Sequence, residues 1–72
     1  MNKLQKATKL LSEIYDMSAV TVFYDRHPLS PVNGKIFYIK YFGEHDVVFI
    51  GETIDEVKDF VELVKNGEDD YV

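Results

Sequence analysis

The hydrophobic rhythm of the chain changes three times. Between residues 3 and 15, Leu4, Ala7, Leu11, Ile14 and Tyr15 recur every three or four positions, with Leu10 on the flank and Lys6, Lys9 and Glu13 opposite. That spacing predicts an amphipathic helix. Asn2, followed three residues later by Gln5, supplies its start, because a capping box satisfies two first-turn amides at once. From Ala19 to Asp25 the run AVTVFYD has strand composition, but its alternation is too weak to choose a face. The next nine residues, RHPLSPVNG, hold two prolines and an Asn-Gly pair without periodicity and predict a long loop.

Residues 35–42 and 46–50 are dense in aromatic and β-branched side chains and are bounded by glycine-containing turns, so they predict a β-hairpin. With a connection of two or four residues, Phe42 lies opposite Val47, Tyr41 opposite Val48 and Ile39 opposite Ile50. Alternate side chains leave a strand on opposite sides. One face then carries Phe37, Ile39, Tyr41, Val48 and Ile50, and the other Ile36, Tyr38, Lys40, Phe42, Val47 and Phe49. Lys40 is the only charge within either strand body, inside the end residues Lys35 and Asp46, which makes its face the outer one.

After Gly51 the run Thr53-Ile54-Asp55-Glu56 predicts a second capped helix, with Glu56 reaching back to the Thr53 amide. At 100° per residue, Ile54, Val57, Phe60, Val61 and Val64 form one stripe, and Asp55, Asp59 and Glu62 fall almost opposite it. Leu63 lies off the stripe and is expected to be partly exposed. Asn66-Gly67 reads as a left-handed stop after Lys65.

The order helix, strand, strand, strand, helix predicts an α+β fold, a three-stranded antiparallel sheet with both helices packed on one face. Such a layer leaves Tyr38, Phe42, Val47 and Phe49 open, a larger apolar patch than a monomer usually shows. Those four residues are therefore the expected interface of a homodimer or a hydrophobic partner contact.

A chain of 72 residues makes one domain, expected over 1–67, with an acidic flexible tail over 68–72. A domain this small buries only about 60% of its unfolded surface, so its stability margin is thin. At 46% hydrophobic residues it still lies above the disordered range. The absence of cysteine removes disulfides, thiolate catalysis and cysteine-based zinc sites. No apolar run approaches the roughly 18 residues of a membrane span, and the start has no signal-peptide core, so a soluble cytoplasmic protein is expected. The initial Met1 is read as the start of a complete small gene product.

Charge changes the picture more than composition does. The net charge of −5 conceals a division: residues 1–43 hold six bases and three acids, a net +3, whereas residues 44–72 hold ten acids and two bases, a net −8. Lopsided charge bears on partners and solubility, not on fold.

Candidate chemistry is sparse. Asp25-Arg26-His27 sets a carboxylate, a guanidinium and an imidazole in a row but lacks a nucleophile or second base at a recognisable spacing. Glu44-His45-Asp46, with Glu52 nearby, offers oxygen and nitrogen donors, yet neighbours on a hairpin tip diverge and no paired-histidine or calcium-loop spacing is present. Each glycine has a turn or cap to explain it, so no phosphate-binding loop is indicated. The expectation is no catalytic residue, no metal and no cofactor.

The element order resembles that of the double-stranded RNA-binding domain. That family carries a lysine cluster at the start of its second helix, where this chain has Thr53-Ile54-Asp55-Glu56. Two carboxylates in a first turn stabilise the helix but repel phosphate, so direct nucleic-acid binding is not expected. In size, charge and element order the chain also resembles small acidic phage-encoded inhibitors, some anti-CRISPR proteins among them. Asp55, Asp59 and Glu62, extended by Glu68, Asp69 and Asp70, are accordingly the expected contact for a basic protein surface, a rough copy of a phosphate backbone that blocks a nucleic-acid-handling partner.

Overall fold

A computed structural model describes residues 2–69, with backbone alone for Glu68 and Asp69. The elements are α1 (Lys3–Leu11), β1 (Val20–Asp25), β2 (Ile36–Tyr41), β3 (Val47–Gly51) and α2 (Ile54–Asp69). The strands form one open antiparallel sheet in the order β1-β2-β3. This is the α+β fold that the periodicities predict.

The core lies between the helices and one sheet face. Ala7 and Leu11 of α1, Val57 and Val61 of α2, Val20 of β1 and Phe37 and Ile39 of β2 are buried together, and Val22, Tyr24, Tyr41 and Ile50 pack against them from the same face. The face of β1 that sequence left open is thereby fixed as Val20, Val22 and Tyr24. Phe37 is fully buried and stacks on Tyr24 at 4.2 Å between ring centroids. Truncating such a ring to alanine costs about 3–5 kcal/mol, a large share of a small domain's stability.

α1 starts as its capping box dictates: Asn2 Oδ1 accepts from the Gln5 amide at 2.8 Å and Gln5 Oε1 from the Asn2 amide at 3.0 Å. It ends at Leu11 rather than near residue 15. The Ser12 hydroxyl donates to the Lys9 carbonyl at 2.6 Å, and the amides of Glu13 and Ile14 close tighter three-residue turns onto Leu10 and Leu11. Serine competes in this way for backbone acceptors and favours helix ends. Ile14 and Tyr15 still pack on the core from these turns.

The hairpin register differs from expectation by two residues. Tyr38 pairs with Phe49, Ile39 with Val48 and Lys40 with Val47, because five residues, 42–46, connect the strands. The Glu44 amide bonds to the Tyr41 carbonyl, and Gly43 takes a φ of +80° in that turn, a conformation natural to glycine. A two-residue slip preserves the face of every side chain, so the assignment of faces survives the change. Beyond Tyr38–Phe49 a bulge opens and Phe37 faces Gly51, which leaves Ile50 as the extra residue. Val48 occupies the core face, yet on an edge strand it stays 37% exposed.

α2 departs from prediction at both ends. Glu56 does reach back, but its Oε2 accepts from the Glu52 amide at 2.8 Å rather than from Thr53, while Thr53 Oγ1 accepts from the Glu56 amide at 3.2 Å. At the far end Asn66-Gly67 does not stop the helix, which runs on to Asp69. Gly67 is not among the residues with positive φ: glycine permits a left-handed turn without compelling one. The boundary expected at 67/68 thus falls inside α2, and the tail residues Asp70, Tyr71 and Val72 lie outside the described residues. No described helix is long and apolar enough to cross a membrane.

Candidate functional site

Helical geometry divides α2 into four sides. Val57 and Val61 are buried, with Ile54 and Phe60 packed beside them. Lys58 lines a groove of about 370 Å³ between the helices together with Lys6, Lys9, Leu10, Glu13 and Ile54. One turn pair further on, Lys65 forms an ion pair with Glu13 of the segment after α1. Both lysines of α2 are therefore turned toward α1.

Asp55, Asp59 and Glu62 are exposed on the back of α2. Among the described residues the ion pair is that of Lys65 with Glu13, so the three carboxylates face solvent without a paired cation. On the flank away from the lysines stands Leu63, 72% exposed, a turn after Asp59 and next to Glu62. Sequence placed Leu63 off the apolar stripe, but its adjacency to the acids follows only from laying both on one helix surface. The side chains of Glu68 and Asp69, and all of Asp70, lie outside the described residues.

The outer face of the sheet is not the open apolar patch that strand composition suggests. Tyr38 is only 9% exposed. Phe23 stacks on it at 5.0 Å, and Phe49 and His27 meet it edge-on at 5.9 and 5.3 Å. His27 also meets Phe49 at 5.3 Å. The proline loop thus folds a ring over the outer sheet, held by the Leu29 amide donating to His27 Nδ1 at 3.1 Å and the Ser30 amide to the His27 carbonyl at 3.1 Å. Phe49 and Val47 end half-buried, and Phe42, past the end of β2, stays 68% exposed. A legible signal for His27 was parity: residues 23, 25 and 27 alternate onto one face of an extended chain.

The residues singled out for chemistry are dispersed. Asp25 Oδ1 accepts from the Arg26 amide at 2.7 Å, while the His27 ring lies against Tyr38 and Phe49. Glu44, His45, Asp46 and Glu52 are exposed, and among the described residues no three His, Asp or Glu side chains gather as a metal-ligand group.

Among the described residues two ionisable groups are displaced from their ordinary range. Asp16 is held below 3.8 because the Ser18 hydroxyl and then the Ser18 amide donate to its charged form, at 2.7 and 3.0 Å. Tyr15 is pushed above 10.0, first by burial and then by the neighbouring Tyr41 phenol, whose ring meets it edge-on at 6.1 Å. Both groups shape the α1–β1 connection and stand apart from the acidic back of α2. Comparison with known protein families, curated proteins and solved structures found no match.

Proposed function

We propose that the protein is a small non-enzymatic interaction module that uses the back of α2 to engage a basic protein surface, of the kind that handles nucleic acid. The observation that carries this reading is the sorting of charge on α2: Asp55, Asp59 and Glu62 turned to solvent, Lys58 and Lys65 both turned toward α1. An isolated surface acid needs no partner. Lys58 and Lys65 border the acids on the helix surface, but with Lys58 in the groove beside α1 and Lys65 paired with Glu13 the exposed back is predominantly anionic, and such a surface steers a cationic one during encounter.

The copy of a nucleic acid is a sparse one. Asp55 and Asp59 are separated by about 6 Å of helix rise, against about 3.4 Å per phosphate along one DNA strand. The module therefore competes for the electrostatic part of a groove's affinity and needs another source of grip. Leu63, bare beside Asp59 and Glu62, supplies it: the partner has cationic side chains around a small apolar socket. The positive face around Lys6, Lys9 and Lys58 stays clear of the contact.

The test is affinity capture with the full chain and the charge-reversed variant D55K/D59K/E62K, at low and high salt and with duplex DNA as competitor. The expected outcome is a partner held by the natural chain, released by salt and by DNA, and not held by the variant. Capture that is indifferent to salt and to charge reversal overturns the reading.

A further inference from the structure

Phe42 stands 68% exposed at the hairpin corner, where a large ring in water has a cost and none of the described residues covers it. Beside it on the outer sheet lies a hollow of about 360 Å³ lined by Thr21, Phe23, Lys40, Phe42, Glu44 and His45 among others. That volume sits at the small end of what holds a compact ligand, about 300–1,000 Å³, and is ample for one phenyl ring. Thr21 and Lys40 are cross-strand partners, which fixes the hollow on β1 and β2, the strands that carry Phe23 and Tyr38.

The patch thus contains a projecting ring and a recess for a ring side by side. It also contains one cation, Lys40, and one anion, Glu44, on either side of Phe42 in sequence, and neither is ion-paired among the described residues. A surface that carries both members of each complementary pair is what a two-fold contact requires, since residue i of one copy meets residue j of the other and the reverse. A foreign partner would need only one member of each pair.

We propose that a second copy of this chain covers the hollow. Phe42 of each protomer enters the recess of the other, the two rings lie about the two-fold axis, and Lys40 of each faces Glu44 of its mate. This contact is separate from the back of α2, so a dimer offers two acidic helices to one partner and the two proposals fail independently.

Sedimentation velocity of the full chain over a concentration series tests it, with thermal melts as the control for folding. The natural chain is expected to dimerise reversibly, and F42E to sediment as a monomer whose melt matches that of the natural chain at dilutions where it too is monomeric, because the ring is already exposed in the single chain. K40E and E44K should each weaken association at least tenfold. Mixed one to one, those two variants should form a mixed dimer more tightly than either pairs with itself, because both ion pairs then regain opposite signs. A natural chain that remains monomeric up to about 1 mM overturns the proposal, as does a dimer that F42E leaves intact or one in which the mixed charge variants gain nothing. A monomer that captures a hydrophobic peptide through Phe42 overturns it too.

Discussion

Gly51 and Gly67 look alike in sequence, each beside a predicted helix end, and the fold treats them oppositely. Gly51 lies across from Phe37, so a side chain there points into the helix layer. An added methyl group would collide with Cβ of Glu56 and stand 2.6 Å from its Oε2. Gly51→Ala is expected to lower stability by about 1–3 kcal/mol, the usual range for overpacking, measured as a shift in urea midpoint. At Gly67, inside α2, an added Cβ meets nothing within 4 Å. Gly67→Ala should therefore raise stability by about 0.5–1 kcal/mol through helix propensity and the unfolded chain's entropy. A loss of comparable size would mean that Gly67 is a left-handed cap and that α2 ends before it. Neither difference is legible in sequence, because a glycine states what the backbone is allowed to do and not what approaches it.

At the scale of elements, periodicity identified both helices because each buries a continuous stripe, and burial is what periodicity records, whereas the three strands were legible from their aromatic and β-branched composition between turn residues. Junctions were less legible. The hairpin slipped by two residues because turn length is decided by Gly43 and its neighbours rather than by the strands, and α1 stopped early because Ser12 hydrogen-bonds backward. The connection after α1 has its own signature in acid. The Ser18 donors bind the ionised carboxylate of Asp16, so the folded chain holds that proton less tightly than the unfolded chain. The contribution is present above the unfolded value of 3.8 and is lost as pH falls through the lower folded value. Asp16→Asn should flatten the fall in thermal midpoint between about pH 5 and 2. Parallel curves for the two proteins would remove Asp16 from the acid response. Tyr15 acts at the other extreme: burial favours its neutral phenol, so its contribution holds below 10.0 and is lost as pH rises through the higher folded value.

Over the whole molecule, the candidate surfaces were legible unequally. The acids of α2 stood out because charge and helical spacing both appear in sequence, whereas the outer sheet was misjudged because Tyr38 is covered by Phe23, from a strand whose face sequence left open, and by a ring from the loop beyond that strand. His27 is the loop's contribution, set against both Tyr38 and Phe49. His27→Ala should expose Tyr38 and lower stability by about 0.5–1.5 kcal/mol, the usual worth of an aromatic pair beyond its buried area; near-ultraviolet circular dichroism of the tyrosines reports the change. If that signal and the melt are both unaltered, the loop does not seal the sheet.

Because α2 sends Lys58 and Lys65 to one flank and its carboxylates to another, the molecule is a small electrical compass needle. A cationic wall exerts a torque on it many ångströms before any atoms touch, within the screening distance of about 8 Å at physiological salt. For the proposed basic partner, rotational search is shortened in that zone, so added salt should act mainly on how often productive collisions occur and less on the lifetime of the complex, weakening capture at equilibrium.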